Sequence, residues 1–302
     1  MISRLPTFQK RSQPVLLCGM SNKIDEIIRY LRNDKKMQNR EIVIVDKDAA
    51  RYRIKDKNLY RNIWCVPEDP TFRDVLRNAI GTEDTHAIIM AKTTEGVPSP
   101  NHVDARSIET ALAIEALDVH VYTIVEVLEP NNTVYLGRTM INEWICIKEY
   151  GVRLISQCAL QPGVADVIMK LLGEEVENDN GPSESDSIRL SGSILPDVFI
   201  KAPYRKATDL IRRNSDINVT PIGFAKYVSD EEKRESGLTL RNTNYFFVLN
   251  PKTKDSDGMQ SEKNQSSYPF LHRDTLLEQY DRLIYIANAE VDFDKHFSRR
   301  FK

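Results

Sequence analysis

At 302 residues, with 41% hydrophobic and 28% charged side chains, the chain can bury a sizeable core and is long enough for two compact units. Forty-two basic against forty-four acidic residues leave a formal net charge of −2, which excludes a global field for nucleic acid or an anionic membrane surface. No apolar run is long enough to span a bilayer and "MISRLPTFQKRSQ" lacks a signal-peptide core, so any membrane role is expected to fall to a partner or to sequence absent from this chain.

Residues 1–13 read as a linker. From residue 14 to 148, short apolar runs alternate with longer amphipathic ones, the signature of βαβ units around a parallel sheet. The expected strands are "PVLLCG" from Pro14, "EIVIVD" from Glu41, "NIWCV" from Asn62, "AIIMA" from Ala87, "VYTIVEV" from Val121 and "EWICI" from Glu143. Nearly all-apolar strands of this kind are covered on both faces. Ile24, Ile27, Ile28 and Leu31 recur at helical spacing, and Ile108, Leu112 and Leu117 mark a second helical run. The expected fold is an α/β, Rossmann-like doubly wound parallel sheet with right-handed crossovers.

Residues 149–172, which include "YGVRLISQCALQPGVADVIMKLL" from Tyr150, read as two helices separated at Pro162 and Gly163. Their apolar positions are too many for one face, so the pair is expected to pack against a second body. Residues 173–186 are acidic and polar and read as a linker. Residues 187–302 read as a small α+β lobe with a mixed sheet. Its expected strands are "SIRLSG", "DVFI", "YFFVLN" and "DRLIYIA", with a helix at "KATDLIRRNS" and a long excursion over residues 251–269.

In a G-x-G-x-x-G fingerprint the glycines make the turn, admit the pyrophosphate and let helix and strand pack closely. Here those positions hold Gly19, Ser21 and Ile24. The turn is retained, the approach is partly open, and Ile24 is expected to hold the helix away. The amides of Ser21, Asn22 and Lys23, with the Lys23 ammonium, can receive an anion, and Asp46 stands where an acid would bind a ribose hydroxyl. A nucleotide site, another small-ligand site and an unused scaffold all remain open on these residues.

The four cysteines, Cys18, Cys65, Cys146 and Cys158, lie far apart in apolar runs and form no C-x-x-C pair, which argues for reduced core thiols. The five histidines are scattered without a neighbour that would make a catalytic dyad, and no nucleophile elbow, P-loop or metalloprotease motif is present. No catalytic residue is assigned.

Several stretches together resemble the RCK family, the regulator of potassium conductance domains. They are "LLCGMSNK", "EDPTFRDVLRNA", "AIIMA" with "DARSIETALAIEAL", "VYTIVEVLEPNNTVYL", "YGVRLISQCALQPGV" and "DTLLEQYDRLIYIA". The order of these segments carries the resemblance. It implies a cytosolic ligand-sensing gating domain of a potassium channel or transporter. Such a domain assembles as a homodimer or ring at the inner face of the membrane, beneath a tetrameric pore absent from this chain. The helix pair crosses to the neighbouring subunit through Val152, Ile155, Val164, Val167 and Ile168.

The resemblance implies a nucleotide ligand (NAD, ADP or ATP) at Gly19, Ser21, Asn22, Lys23 and Asp46, with Asp69 and Thr71 of the "EDPT" turn. Calcium is the other ligand it implies, with Glu126 and Glu129 as candidate donors. The fourth strand ends in "IIMAK" without the acid that the family's calcium site uses, and Leu128 stands where a second fifth-strand carboxylate would. Glu129, Glu95 and Asp104 are left to build a different one. Two rival readings are carried: an NAD-dependent oxidoreductase with a degenerate fingerprint, and a stand-alone regulatory subunit of a potassium-uptake system.

Overall fold

A computed structural model describes residues 13–34, 37–52, 61–80, 85–92, 99–117, 121–172, 176–178, 181–183, 187–192, 194–236, 244–252 and 271–297. The chain divides into two compact units, Met1–Ile155 and Ser156–Lys302.

The first unit runs β1 (Val15–Cys18), α1 (Ile24–Asn33), β2 (Ile42–Val45), β3 (Ile63–Val66), α2 (Arg73–Ala79), β4 (Thr85–Ile89) and α3 (Pro100–Glu115). It continues through β5 (Val121–Val127), α4 (Thr133–Leu136) and β6 (Glu143–Cys146). All six strands are parallel, in the order β3-β2-β1-β4-β5-β6. The expected Rossmann-like sheet is therefore present, and the chain reverses direction across it between β1 and β4. That reversal opens a crevice at the carboxyl ends of β1 and β4.

Alternation along the central strands feeds two core layers. Leu16, Cys18, Val43, Val45 and Ile89 pack with Leu76 of α2 and Ile114 of α3, while Val15, Leu17, Ile42 and Ile44 pack with Ile24 and Ile28 of α1. Full burial of a side chain of this size contributes roughly 1.5–3 kcal/mol, so the two layers fix the register of β1 and β2. Ile24, at the third fingerprint position, is buried in the second layer. The spacing that a glycine would close is thus filled by side chain. The start of α3 is set by Pro100 in its first turn and by Ser99, whose side chain accepts the His102 amide at 3.3 Å.

Helix α5 (Ile147–Leu160) spans the boundary between the units, and α6 (Val164–Leu171) follows it. They are separated at Pro162 and Gly163 as expected, with Gly163 at φ +90°. Neither helix holds a buried residue.

The second unit continues through β7 (Val176–Asn178), β8 (Gly181–Ser183), β9 (Ser187–Leu190), α7 (Tyr204–Arg213), β10 (Thr220–Tyr227), α8 (Asp230–Ser236), β11 (Tyr245–Leu249), β12 (Arg282–Ala287) and α9 (Phe293–Phe297). Strands β11-β10-β12-β9 form one sheet in that order. Every neighbouring pair is antiparallel, which corrects the mixed sheet expected here. One face buries Phe224, Leu283 and Tyr285 against Tyr204 and Ile211 of α7 and Phe293 and Phe297 of α9.

Three further differences from the sequence reading have local causes. "DVFI" forms turns rather than a strand: Phe199 donates to the Pro196 carbonyl and Ile200 to that of Asp197, while Lys201 sits at φ +60°. The central strand β10 was not among the expected strands, and it contains Pro221 and Gly223. The ladder to β12 absorbs them with a register shift between those two residues. The acidic stretch expected as a linker carries the β7–β8 pair, whose two-residue connection has hairpin length. Residues 1–12 of the N-terminal linker and 253–269 of the long excursion lie outside the described residues. Among the described residues no helix is long and apolar enough to cross a membrane.

Candidate functional site

The crevice is built by the ends of four strands. After β1 the chain turns at Gly19, whose φ is +91° and whose amide donates to Val45 at 3.1 Å. A Cβ at this position would lie 2.7 Å from the Met90 carbonyl oxygen, so the close approach of β1 to β4 requires glycine here. The Ser21 hydroxyl accepts the Lys23 amide at 3.1 Å and contacts the Met90 sulfur at 3.8 Å. That hydroxyl takes up one of the donors that an anion would otherwise use. The amides of Ser21 and Asn22 have no partner among the described residues, and they open toward the start of α1, where the helix dipole favours negative charge.

Asp46, at the end of β2, is buried and already engaged. Its Oδ2 accepts the Met20 amide at 2.9 Å, and its Oδ1 accepts the Asp48 amide at 2.7 Å and the Lys92 ammonium at 2.8 Å. The same ammonium reaches Asp48 Oδ2 at 2.7 Å. Partial burial works against the charge on Lys92, but the two carboxylates outweigh it and raise its pKa. The hydrogen bond from Lys92 is the main reason the Asp48 carboxyl is held below its usual range.

Across the crevice, Lys23 pairs with Glu126 of β5, and the other oxygen of Glu126 accepts the Ala91 amide at 3.1 Å. One ion pair therefore ties the β1 turn to β5, and the other ties β2 to the end of β4. Beside them, buried Asp69 accepts the Thr71 amide at 3.0 Å and the Thr71 hydroxyl at 2.9 Å. It also takes two bonds from Arg106 of α3, at 3.0 and 3.1 Å, and pairs with Lys47 at 2.7 Å. Burial alone would raise the Asp69 pKa; Lys47, Thr71 and Arg106 reverse that and hold it far below the usual carboxylate range.

The structure thus brings Gly19, Ser21, Asn22, Lys23, Asp46 and Glu126 to one crevice, with Asp69 and Thr71 linked to the end of β2 through Lys47. Glu129 is not part of that group. It binds Lys148 through both oxygens, at 2.9 and 2.8 Å, while Asp104 accepts the amides of Leu128 and Glu129 and the side chain of Asn132. Glu95 lies outside the described residues. Among the described residues no group of three or more His, Cys, Asp or Glu side chains is placed to hold a metal. A hard cation needs several oxygen donors, and Glu126 and Glu129 do not supply them together.

The sequence reading missed Lys92, Lys47 and Arg106. Lys92 had a visible signal, since it ends "IIMAK" at the strand beside the switch point. A cation stands there in place of the missing acid.

Residues 15–147 match the TrkA-N domain. Over 134 residues the chain is 28% identical to the calcium-gated potassium channel TvoK of Thermoplasma volcanium, covering 43% of this chain and 38% of the channel. The human SLO3 gating ring matches 96% of this chain and 47% of its own at 15% identity, with a TM-score of 0.59. The chain therefore spans less than half the length of these relatives. The RCK resemblance read from the sequence is borne out by these matches.

Proposed function

Because residues 15–147 match the TrkA-N domain, we propose that the chain is the cytosolic ligand-sensing part of a potassium channel or potassium-uptake system. It assembles as a dimer or ring and passes ligand binding on to a pore at the inner face of the membrane. The observation that carries this reading is the extent of the fold likeness. It takes in 96% of the chain, so the second unit shares the gating-ring fold with the first.

Two features of the chain support the reading. The crevice is closed by ion pairs linking the ends of β1, β2, β4 and β5, so a ligand that exchanges partners with Lys23 or Lys92 rearranges the carboxyl end of the sheet. The apolar, unburied faces of α5 and α6 are the surface expected for a neighbouring subunit, with Val152, Ile155, Leu160 and Leu172 each 61–75% exposed. A ligand moves such an assembly only through its differential affinity for two states. Identical subunits sum that difference and steepen the response.

The nucleotide expected from the sequence fits the crevice in part. The Ser21 and Asn22 amides suit phosphate, whereas the ribose side at Asp46 is held by Lys92. A calcium ion would have to displace Lys23 from Glu126. No catalytic step is assigned, and the Lys92–Asp46 contact weighs against the oxidoreductase alternative. The test is a thermal-shift panel with NAD⁺, NADH, ADP, ATP, AMP and calcium, since a ligand of the native state must raise its melting temperature. A saturable shift with any of them supports the crevice as the sensor. Silence across the panel and toward inorganic pyrophosphate at millimolar concentration sinks that assignment.

A further inference from the structure

We propose that Lys92 is a tethered plug that sets the ligand class of the crevice: its ammonium holds the acceptor positions a ribose would need, so wild-type crevices favour ribose-free phosphates over nucleotides. This inference rests on reading the crevice as a ligand site.

The argument is a count of lone pairs. A carboxylate offers about four acceptor positions, two on each oxygen. On Asp46, Oδ1 is filled by the Asp48 amide and the Lys92 ammonium, and Oδ2 has taken the Met20 amide. The two amides belong to the backbone beside β1 and β2 and cannot leave without unmaking the turns. A ribose diol brings two hydroxyl donors to an acid in this position, and a single acceptor position remains. The only donor that can give way is Lys92, which must then also release Asp48, 2.7 Å away. Its side chain is only 28% exposed, so the ammonium it would withdraw is partly desolvated and poorly compensated by water. Among the described residues nothing comparable blocks the phosphate side, where the Ser21 and Asn22 amides are open.

The test is isothermal titration of the full chain with ADP and with inorganic pyrophosphate, comparing wild type, Lys92→Met and Asp48→Asn, with folding checked by circular dichroism. Removing a cation weakens attraction for every anion, so a mere loss of charge makes Lys92→Met bind both probes more weakly. The plug predicts the opposite sign for ADP alone: a gain of about tenfold, the order expected for releasing a partly buried ion pair, with pyrophosphate unchanged or weaker. Asp48→Asn keeps the ammonium but loosens its hold, so the ADP-to-pyrophosphate affinity ratio shifts the same way by a smaller amount; this variant decides the matter if Lys92→Met does not fold. Equal or weaker ADP binding in Lys92→Met, with wild type responding to the panel, overturns the plug alone. Silence of every protein toward both probes overturns it together with the crevice reading.

Discussion

Replacing Gly19 with alanine separates two reasons for a glycine at the head of a fingerprint. If the residue is held by the approach of a phosphate, the variant folds normally and loses ligand. If it is held by the fold, the variant loses stability without any ligand present. The geometry favours the second. A Cβ would lie 2.7 Å from the Met90 carbonyl oxygen, and the Met90 amide is itself bonded to the Cys18 carbonyl at 2.8 Å, so the strands cannot part without breaking that bond. Left-handed strain costs about 1–2 kcal/mol for a residue with a Cβ, and overpacking against fixed backbone adds about 1–3 kcal/mol. Gly163 supplies the control: its φ is also +90°, yet a Cβ there meets nothing within 4 Å. Gly163→Ala should therefore cost strain alone, about 1–2 kcal/mol, and Gly19→Ala roughly 2–5 kcal/mol. At roughly 2–4 °C per kcal/mol, calorimetry of the ligand-free proteins should place the Gly19→Ala transition about 4–20 °C below wild type. Equal shifts for the two variants would refute the steric argument.

Other expectations follow from the buried groups around the crevice. Asp69 has a depressed folded-state pKa, so its contribution is fully present above the unfolded value near 4, declines below it, and is lost only as pH falls through the lower folded value. Urea titrations should show Asp69→Asn costing about 1–2 kcal/mol at pH 7 and progressively less as pH is lowered below the unfolded value toward the folded one; a cost independent of pH across that window would contradict the ion-pair account. The Cys18 thiol is pushed up to about 12, mainly by burial and further by the charge on Asp46. Because the thiolate is the reactive form, mass spectrometry after brief alkylation at pH 8 should find Cys18 unmodified until denaturant is added. Rapid labelling in the native state would show that the crevice floor opens.

The first unit was legible in the sequence because its strands are covered on both faces. Four-residue runs such as Val15–Cys18 and Ile42–Val45 are buried throughout, and an unbroken apolar run is the trace that such burial leaves. The second unit was harder to read. Its central strand β10 contains Pro221 and Gly223, and a Cβ on Gly223 would sit 2.1 Å from the Val248 carbonyl oxygen, so the residue that reads as a breaker is what lets β11 approach. "DVFI" misled in the other direction. Phe199 is buried as the anchor of a turn against α9, and apolarity alone does not distinguish that role from a strand. At the crevice, Gly19 and Asp46 could be picked out by position along the chain. Lys92 was visible too, at the end of "IIMAK", but its pairing with Asp46 was not, since that depends on β4 lying beside β1 although the two strands are far apart in sequence.

The proposed function depends on a multimer joined through α5 and α6. Light scattering coupled to size exclusion, at micromolar concentration, tests it most directly on wild type and on Val152→Asp/Ile155→Asp. Both substitutions fall on exposed positions, so surface charge there should leave the fold intact. The account predicts a wild-type mass of at least a dimer, and a monomer for the variant with unchanged circular dichroism. A strictly monomeric wild type, or a variant that keeps the wild-type mass, would contradict it.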